Sequence, residues 1–197
     1  MTARLEGKQI SKQNSLLDAA FDLFTKVGIN GTTIDEIVKK AGVAKGTFYL
    51  YFKDKYDLLD MVVIRKTSAL IRDAIVATEA RAGGDPIDSV IRFADYIIDH
   101  LAQDPLLMRI IHKDLSFSLY QKVLNDPVRG ADLKKVVDEF KQNVKCEGYD
   151  EKDTGKLLFI LLEMMGSVCY SAIVNNEPAP VREVKPLLFT AIRKILA

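Results

Sequence analysis

Thr33, Ala44, Lys45, Gly46, Thr47, Tyr49, Tyr51 and Lys55 are the residues of this chain whose chemistry is easiest to state. Lysine ammonium groups attract phosphate as point charges, and hydroxyl and phenol groups donate to phosphate oxygens or base edges. Small residues let a helix end come close to what it reads. Such a set suits gripping and reading duplex DNA rather than making or breaking bonds. The imaginable catalytic machinery is His112 with Asp114, or Cys146. His112 and Asp114 are two apart and point to different faces of a helix, and the sequence has neither a nucleophile elbow nor a phosphate-binding loop. Cys146 and Cys169 lack metal-ligand spacing, so no enzyme activity, cofactor or metal site is expected.

Short helices must hold the reading residues. Thr33 and Glu36 have the spacing of a capping box, which opens a helix to about Lys40 with Ile34, Ile37 and Val38 as its apolar set. Gly42 supplies a tight turn, and Val43 follows as the buried residue that sets the angle of a helix-turn-helix. From Ala44 to Phe52 there is room for two helical turns. Phe48 and Phe52, four apart, face the core and leave Lys45, Gly46, Thr47, Tyr49 and Tyr51 on the other faces. The partial positive charge at the helix start favours an anion. Around it, Lys39, Lys40, Lys45, Lys53 and Lys55 face the single acid Asp54 between positions 39 and 55.

The run from Ala41 to Leu58, read as A-G-V-x-K-G-T-x-Y-x-Y-F-K-x-K-x-x-L, resembles the DNA-binding signature of the TetR family of bacterial transcriptional regulators. The resemblance covers roughly residues 10 to 60; the rest is similar only in being helical, of suitable length and apolar near its C-terminus. It implies that Thr33 and Lys55 anchor phosphates and that Lys45, Gly46, Thr47 and Tyr49 face the groove. Tyr51 stands where many relatives place a histidine on the backbone, though beside Phe52 it could equally pack. Two departures are visible: Ala44 replaces a common serine or threonine, removing a hydroxyl, and Tyr56 stands where glutamate is frequent.

The remainder sets the frame. At 197 residues, 48% hydrophobic and 28% charged, the chain has an ordinary globular balance, and a net charge of +1 requires any DNA affinity to come from a local patch. No leader is evident, so a cytoplasmic protein with reduced thiols is expected. An all-α fold is predicted, with a helix-turn-helix domain over 1–53, of which 1–8 form a flexible arm, and a larger helical domain over 54–197. Helix one should run from about Lys8 to Val27 with Ile10, Leu17, Phe21, Phe24 and Val27 inward. Asp54 caps a rod to about Arg81, roughly 40 Å long. Asp85 and Pro86 open a helix to about Ala102; others follow over 106–124 and 129–145. The last pair, 150–175 and 181–196, is the most apolar. Its longest apolar run, Leu157 to Met165, is interrupted by Glu163 and is read as a buried helix rather than a membrane span.

Apolar surface on more than one side of that pair requires either a place at the centre of the domain or a second copy, and the resemblance implies both. Leu158, Leu161, Leu162, Met165, Cys169, Ala172, Leu188, Ala191, Ile192 and Ile195 are its expected contacts, with Gly166, Ser167 and Ala172 allowing close crossings. A homodimer also suits half-sites about 34 to 36 Å apart. The resemblance implies a small-molecule effector in the larger domain, and Tyr96, His100, Met108, His112, Phe117, Tyr120 and Met164 are the candidate lining. The expected function is a sequence-specific, ligand-responsive repressor on a near-palindromic site. The alternative is a DNA-binding dimer without an effector, acting architecturally or through a protein partner.

Overall fold

The computed structural model describes residues 2–79, 85–114, 131–145 and 150–196. Every regular element among them is helical. The chain divides into two compact units, Met1–Lys66 and Thr67–Ala197. The division falls inside a helix, whereas the sequence suggested 53/54.

The first unit holds α1 (Thr2–Val27), α2 (Ile34–Ala41), α3 (Lys45–Tyr49) and the start of α4 (Lys55–Glu79). Its core is Leu16, Leu17, Ala20 and Phe24 of α1, Ile37 and Val38 of α2, Phe48 and Phe52 around α3, and Leu58, Leu59, Val62 and Val63 of α4. Each large side chain so buried contributes about 1.5–3 kcal/mol. The expected α1 stripe is corrected. Ile10 and Val27 are exposed at 59% and 57%, while Phe21 lies half-buried under the Lys66 ammonium, 3.9 Å from its ring centre. The buried stripe runs instead through Leu16, Ala20 and Phe24, with Ala19 buried beside it. The helix begins at Thr2, so the 1–8 segment expected as a flexible arm is helical from its second residue.

Local chemistry sets the boundaries. Gly42 closes α2 with φ +67°, a left-handed cap that costs glycine little, and its N–H returns to the carbonyls of Lys39 and Val38. Asp54 accepts from the N–H groups of Tyr56 and Asp57 at 2.8 and 2.9 Å, while Asp57 accepts from Lys53 N–H at 2.9 Å. Those backbone donors hold the Asp54 carboxyl below its usual range.

The second unit continues with the rest of α4, then α5 (Pro86–Gln103), α6 (Pro105–Asp114), α7 (Ala131–Lys145), α8 (Glu151–Tyr170), a π-helical turn (Ser171–Asn175) and α9 (Val181–Leu196). Asp85 caps α5 through Ile87 N–H, with Pro86 in the first turn, and Asp150 caps α8 through Asp153 N–H. α5 packs on α6, α7 and α9, and α8 on α6 and α7. Across α5 and α9, Lys185 lies between Asp95, at 2.7 Å, and Asp99. Arg193 lies between Asp88 and Asp85, the latter at 3.4 Å. Cys169 is buried, which pushes its thiol up to about 11 and keeps it protonated.

The expectation that the 150–175 helix is buried is overturned. Only 28% of its most apolar stretch lies inside the protomer, and by length and composition Asp153–Asn175 is even long and apolar enough to cross a membrane. Gly155, Phe159, Ile160, Leu162, Glu163 and Ser167 form one exposed face, while Thr154, Leu157 and Leu161 on the opposite side are buried.

Candidate nucleic-acid interface

Thr33 precedes α2 as its cap. Its hydroxyl donates to the Glu36 carboxylate at 2.7 Å and accepts from Glu36 N–H at 3.3 Å, and its own N–H donates to Glu36 at 2.8 Å. The capping box read from the sequence is therefore closed. These bonds hold the Glu36 carboxyl below its usual range. An arriving phosphate would have to displace Glu36 to engage the Thr33 hydroxyl.

Ala44 caps α3 without any side-chain hydrogen bond, as expected of a residue with no hydroxyl. Lys45, first in α3, pairs with Asp35 of α2 at 2.9 Å, with both side chains exposed. The Asp35 carboxylate raises the Lys45 ammonium above the usual lysine range. Sequence reasoning missed this partner, ten positions away. Gly46 is open: a Cβ there would meet nothing within 4 Å. Thr47 is half-buried. Tyr49 is 54% exposed, with its ring edge-on to Phe48 at 5.3 Å. Tyr51 is half-buried and tilted on Phe52 at 6.3 Å, which favours its packing role. Leu50 was overlooked; it is 80% exposed between the two tyrosines.

Lys55 departs most from expectation. Its ammonium donates to the carbonyls of Ile29 and Thr32 at 2.8 and 3.0 Å, part-buried, and so ties the start of α4 to the loop between α1 and α2. Buried Thr32 joins the same knot through its hydroxyl, which donates to Gly28 at 2.8 Å. Two of the three donors of the Lys55 ammonium are thus engaged inside the protein.

Of the candidate effector residues, Tyr96, His100, Met108, His112 and Met164 are described. Met108 is 1% exposed and is a core side chain. Tyr96 and exposed His100 stack with each other on α5, 6.5 Å between rings. His112 of α6 stacks instead on Tyr170 of α8 at 4.2 Å, a partner the sequence did not suggest. Its Nδ1 lies 4.0 Å from the place of a Cβ on Gly166, so that glycine lies against α6. Met164 is half-buried. Phe117 and Tyr120 lie outside the described residues.

The expected dimer contacts are corrected similarly. Leu161, Cys169, Ala172, Leu188 and Ile192 are buried inside the protomer and have no surface left for a partner. Leu158, Met165, Ala191 and Ile195 are half-buried, and Leu162 is exposed. On these two helices Phe159, Ile160 and Leu162 of α8 and Leu187 of α9 are exposed, the last at 73%.

Residues 16–62 match the family described as bacterial regulatory proteins, tetR family. An uncharacterized HTH-type transcriptional regulator, YvdT of Bacillus subtilis, is 27% identical over 96% of this chain and 97% of its own. Among solved structures, a tetR family regulator from Shewanella sp. PV-4 superposes with a TM-score of 0.67 at 18% identity, covering 94% of this chain and 95% of that one. The regulator FadR of Bacillus subtilis, in complex with stearoyl-CoA, gives 0.66 at 18% identity over 90% of this chain and 96% of its own. The matched span lies within the unit that exposes α3, and over residues 16–62 the chain matches the TetR family of bacterial regulatory proteins.

Proposed function

We propose that the protein is a ligand-responsive repressor that binds a near-palindromic operator as a homodimer, each copy placing the exposed face of α3 in the major groove. The uncovered face of α8 carries this reading. Ile160 and Leu162 of α8 are exposed, as is Leu187 of α9, and a chain with one reading helix needs a two-fold partner to read two half-sites. The face also carries Lys156 and Glu163. They lie seven positions apart with opposite charge, so an antiparallel second copy can set each lysine against the other's glutamate. Gly155 and Ser167 permit close approach. The effector is an apolar or amphipathic small molecule, the class to which the stearoyl-CoA held by the FadR neighbour belongs. The protein acts in the cytoplasm, where its operator is.

Selection from a random duplex library at about 150 mM salt, where phosphate contacts alone are weakened, is the test. A two-fold symmetric site is expected, and release of that site by an amphipathic ligand such as stearoyl-CoA would favour the repressor over an effector-free DNA-binding dimer. Recovery of unrelated sequences would refute operator reading.

Tyr49 and Asp35 act oppositely. Tyr49→Ala is expected to weaken operator binding about 5- to 150-fold, the range of a good base contact, with the oligomeric mass unchanged. Equal operator affinity in that variant would remove Tyr49 from the groove. Asp35→Ala frees the Lys45 ammonium and deletes a carboxylate that repels phosphate. Random duplex should then bind a few-fold tighter, with the preference for operator narrowed, as read by titration against both DNAs. Weaker binding to both would instead make Asp35 the residue that aims Lys45.

A further inference from the structure

Leu50 is the most exposed of the large apolar side chains described, at 80%. Its backbone keeps helical angles, φ −75° and ψ −22°. The N–H groups of Tyr51 and Phe52 both return to the Phe48 carbonyl at 3.0 Å, so the turn that carries Leu50 is hydrogen-bonded and the direction of its side chain is set. Phe48 and Phe52 point inward. At about 100° per residue, Leu50 then lies opposite the core, one turn beyond Gly46 on the same face. The middle of the outward face is therefore bare backbone at Gly46 and an aliphatic tip at Leu50. Lys45, Thr47 and Tyr49 flank it.

That face continues the interface assigned to DNA, which identifies what would cover the leucine. An isobutyl group neither donates nor accepts a hydrogen bond, so it cannot distinguish the amino and carbonyl edges of bases. The apolar feature on the floor of the major groove is the thymine C5-methyl group. Gly46, where a Cβ would meet nothing of this protein within 4 Å, lets the helix lie close enough for a side chain of leucine length to reach it. We infer that Leu50 is a specificity-determining residue that reads a thymine methyl group in each half-site. This rests on the proposed entry of α3 into the major groove. Selection there is set by shape and desolvation, beside hydrogen-bonded selection by Tyr49.

The test uses the full chain and the selected operator, with each thymine replaced in turn by deoxyuridine, which removes the methyl group and keeps every hydrogen bond. One position per half-site is expected to lose about fourfold in affinity on replacement, the worth of one buried methyl group. Leu50→Ala should bind thymine and deoxyuridine operators equally well, with the wild-type melting temperature because the side chain is exposed. A Leu50→Ala protein that keeps the full thymine preference overturns the assignment, as does a wild-type protein indifferent to every methyl group. Recovery of no operator overturns the reading of α3 itself and this assignment with it. A recovered operator without a methyl-sensitive position overturns only the role of Leu50.

Discussion

Ile160→Glu is expected to convert the protein into a folded monomer and to weaken operator binding by about two to four orders of magnitude. Ile160 is 51% exposed in the protomer, so glutamate there disturbs no packing within the chain, and thermal unfolding of the isolated protomer should be little changed. Across a two-fold face the same substitution places two carboxylates near each other where two apolar side chains would have met. The loss on DNA follows from linkage. With two heads joined, the second binds at high effective concentration, and separation forfeits that gain. Light scattering and operator titration read the two halves of the expectation. Leu161→Ala is the contrasting control. Leu161 is 3% exposed, and its truncation should cost about 2–5 kcal/mol of stability. An Ile160→Glu protein that stays dimeric would move the interface off α8.

Lys55→Met is expected to destabilise the DNA-free protein by about 2–3 kcal/mol. The ammonium donates to two carbonyls of the loop that closes α1 onto α2, at 2.8 and 3.0 Å, and charge-assisted hydrogen bonds are worth about 1.5–3 kcal/mol when removed. Methionine keeps most of the aliphatic length, so the loss isolates the bonds rather than the stem. In a small unit, each kcal/mol lowers the melting temperature by about 4–8 °C. A phosphate anchor behaves differently: its removal spares the free protein and lowers the slope of binding against salt by about one unit. Melting curves without DNA therefore separate the two roles, and an unchanged curve with a reduced slope would restore Lys55 to the phosphate.

Features fixed by neighbours in sequence were readable before the structure. The Thr33–Glu36 box, the Gly42 turn and the caps at Asp54 and Asp85 depend on groups within a few residues of one another. The internal bonds of Lys55 were not readable, because its carbonyl partners at Ile29 and Thr32 lie more than twenty positions away and no local pattern announces a lysine that serves its own backbone. Asp35 was hidden behind Lys45 for a similar reason. Leu50 was passed over because an apolar residue invites assignment to the core, although its angular place relative to Phe48 and Phe52 puts it outside. The α8 error has another origin. Composition reports that a helix is apolar, but it does not say which face its own chain covers. Leu161 and Ile160 are adjacent and equally apolar, yet one is core and the other is bare.

The pairing of α9 with α5 constrains how a disturbance can travel within the second unit. Each bridge, Lys185 with Asp95 and Asp99, or Arg193 with Asp85 and Asp88, is individually worth little at a solvated surface. They are spaced about 12 Å along α9. One such fastening leaves a rod free to pivot about it, whereas two fix its heading as well as its place. Leu187 sits between them, and so a tilt of α5 is handed to that side chain as a displacement rather than absorbed as rotation.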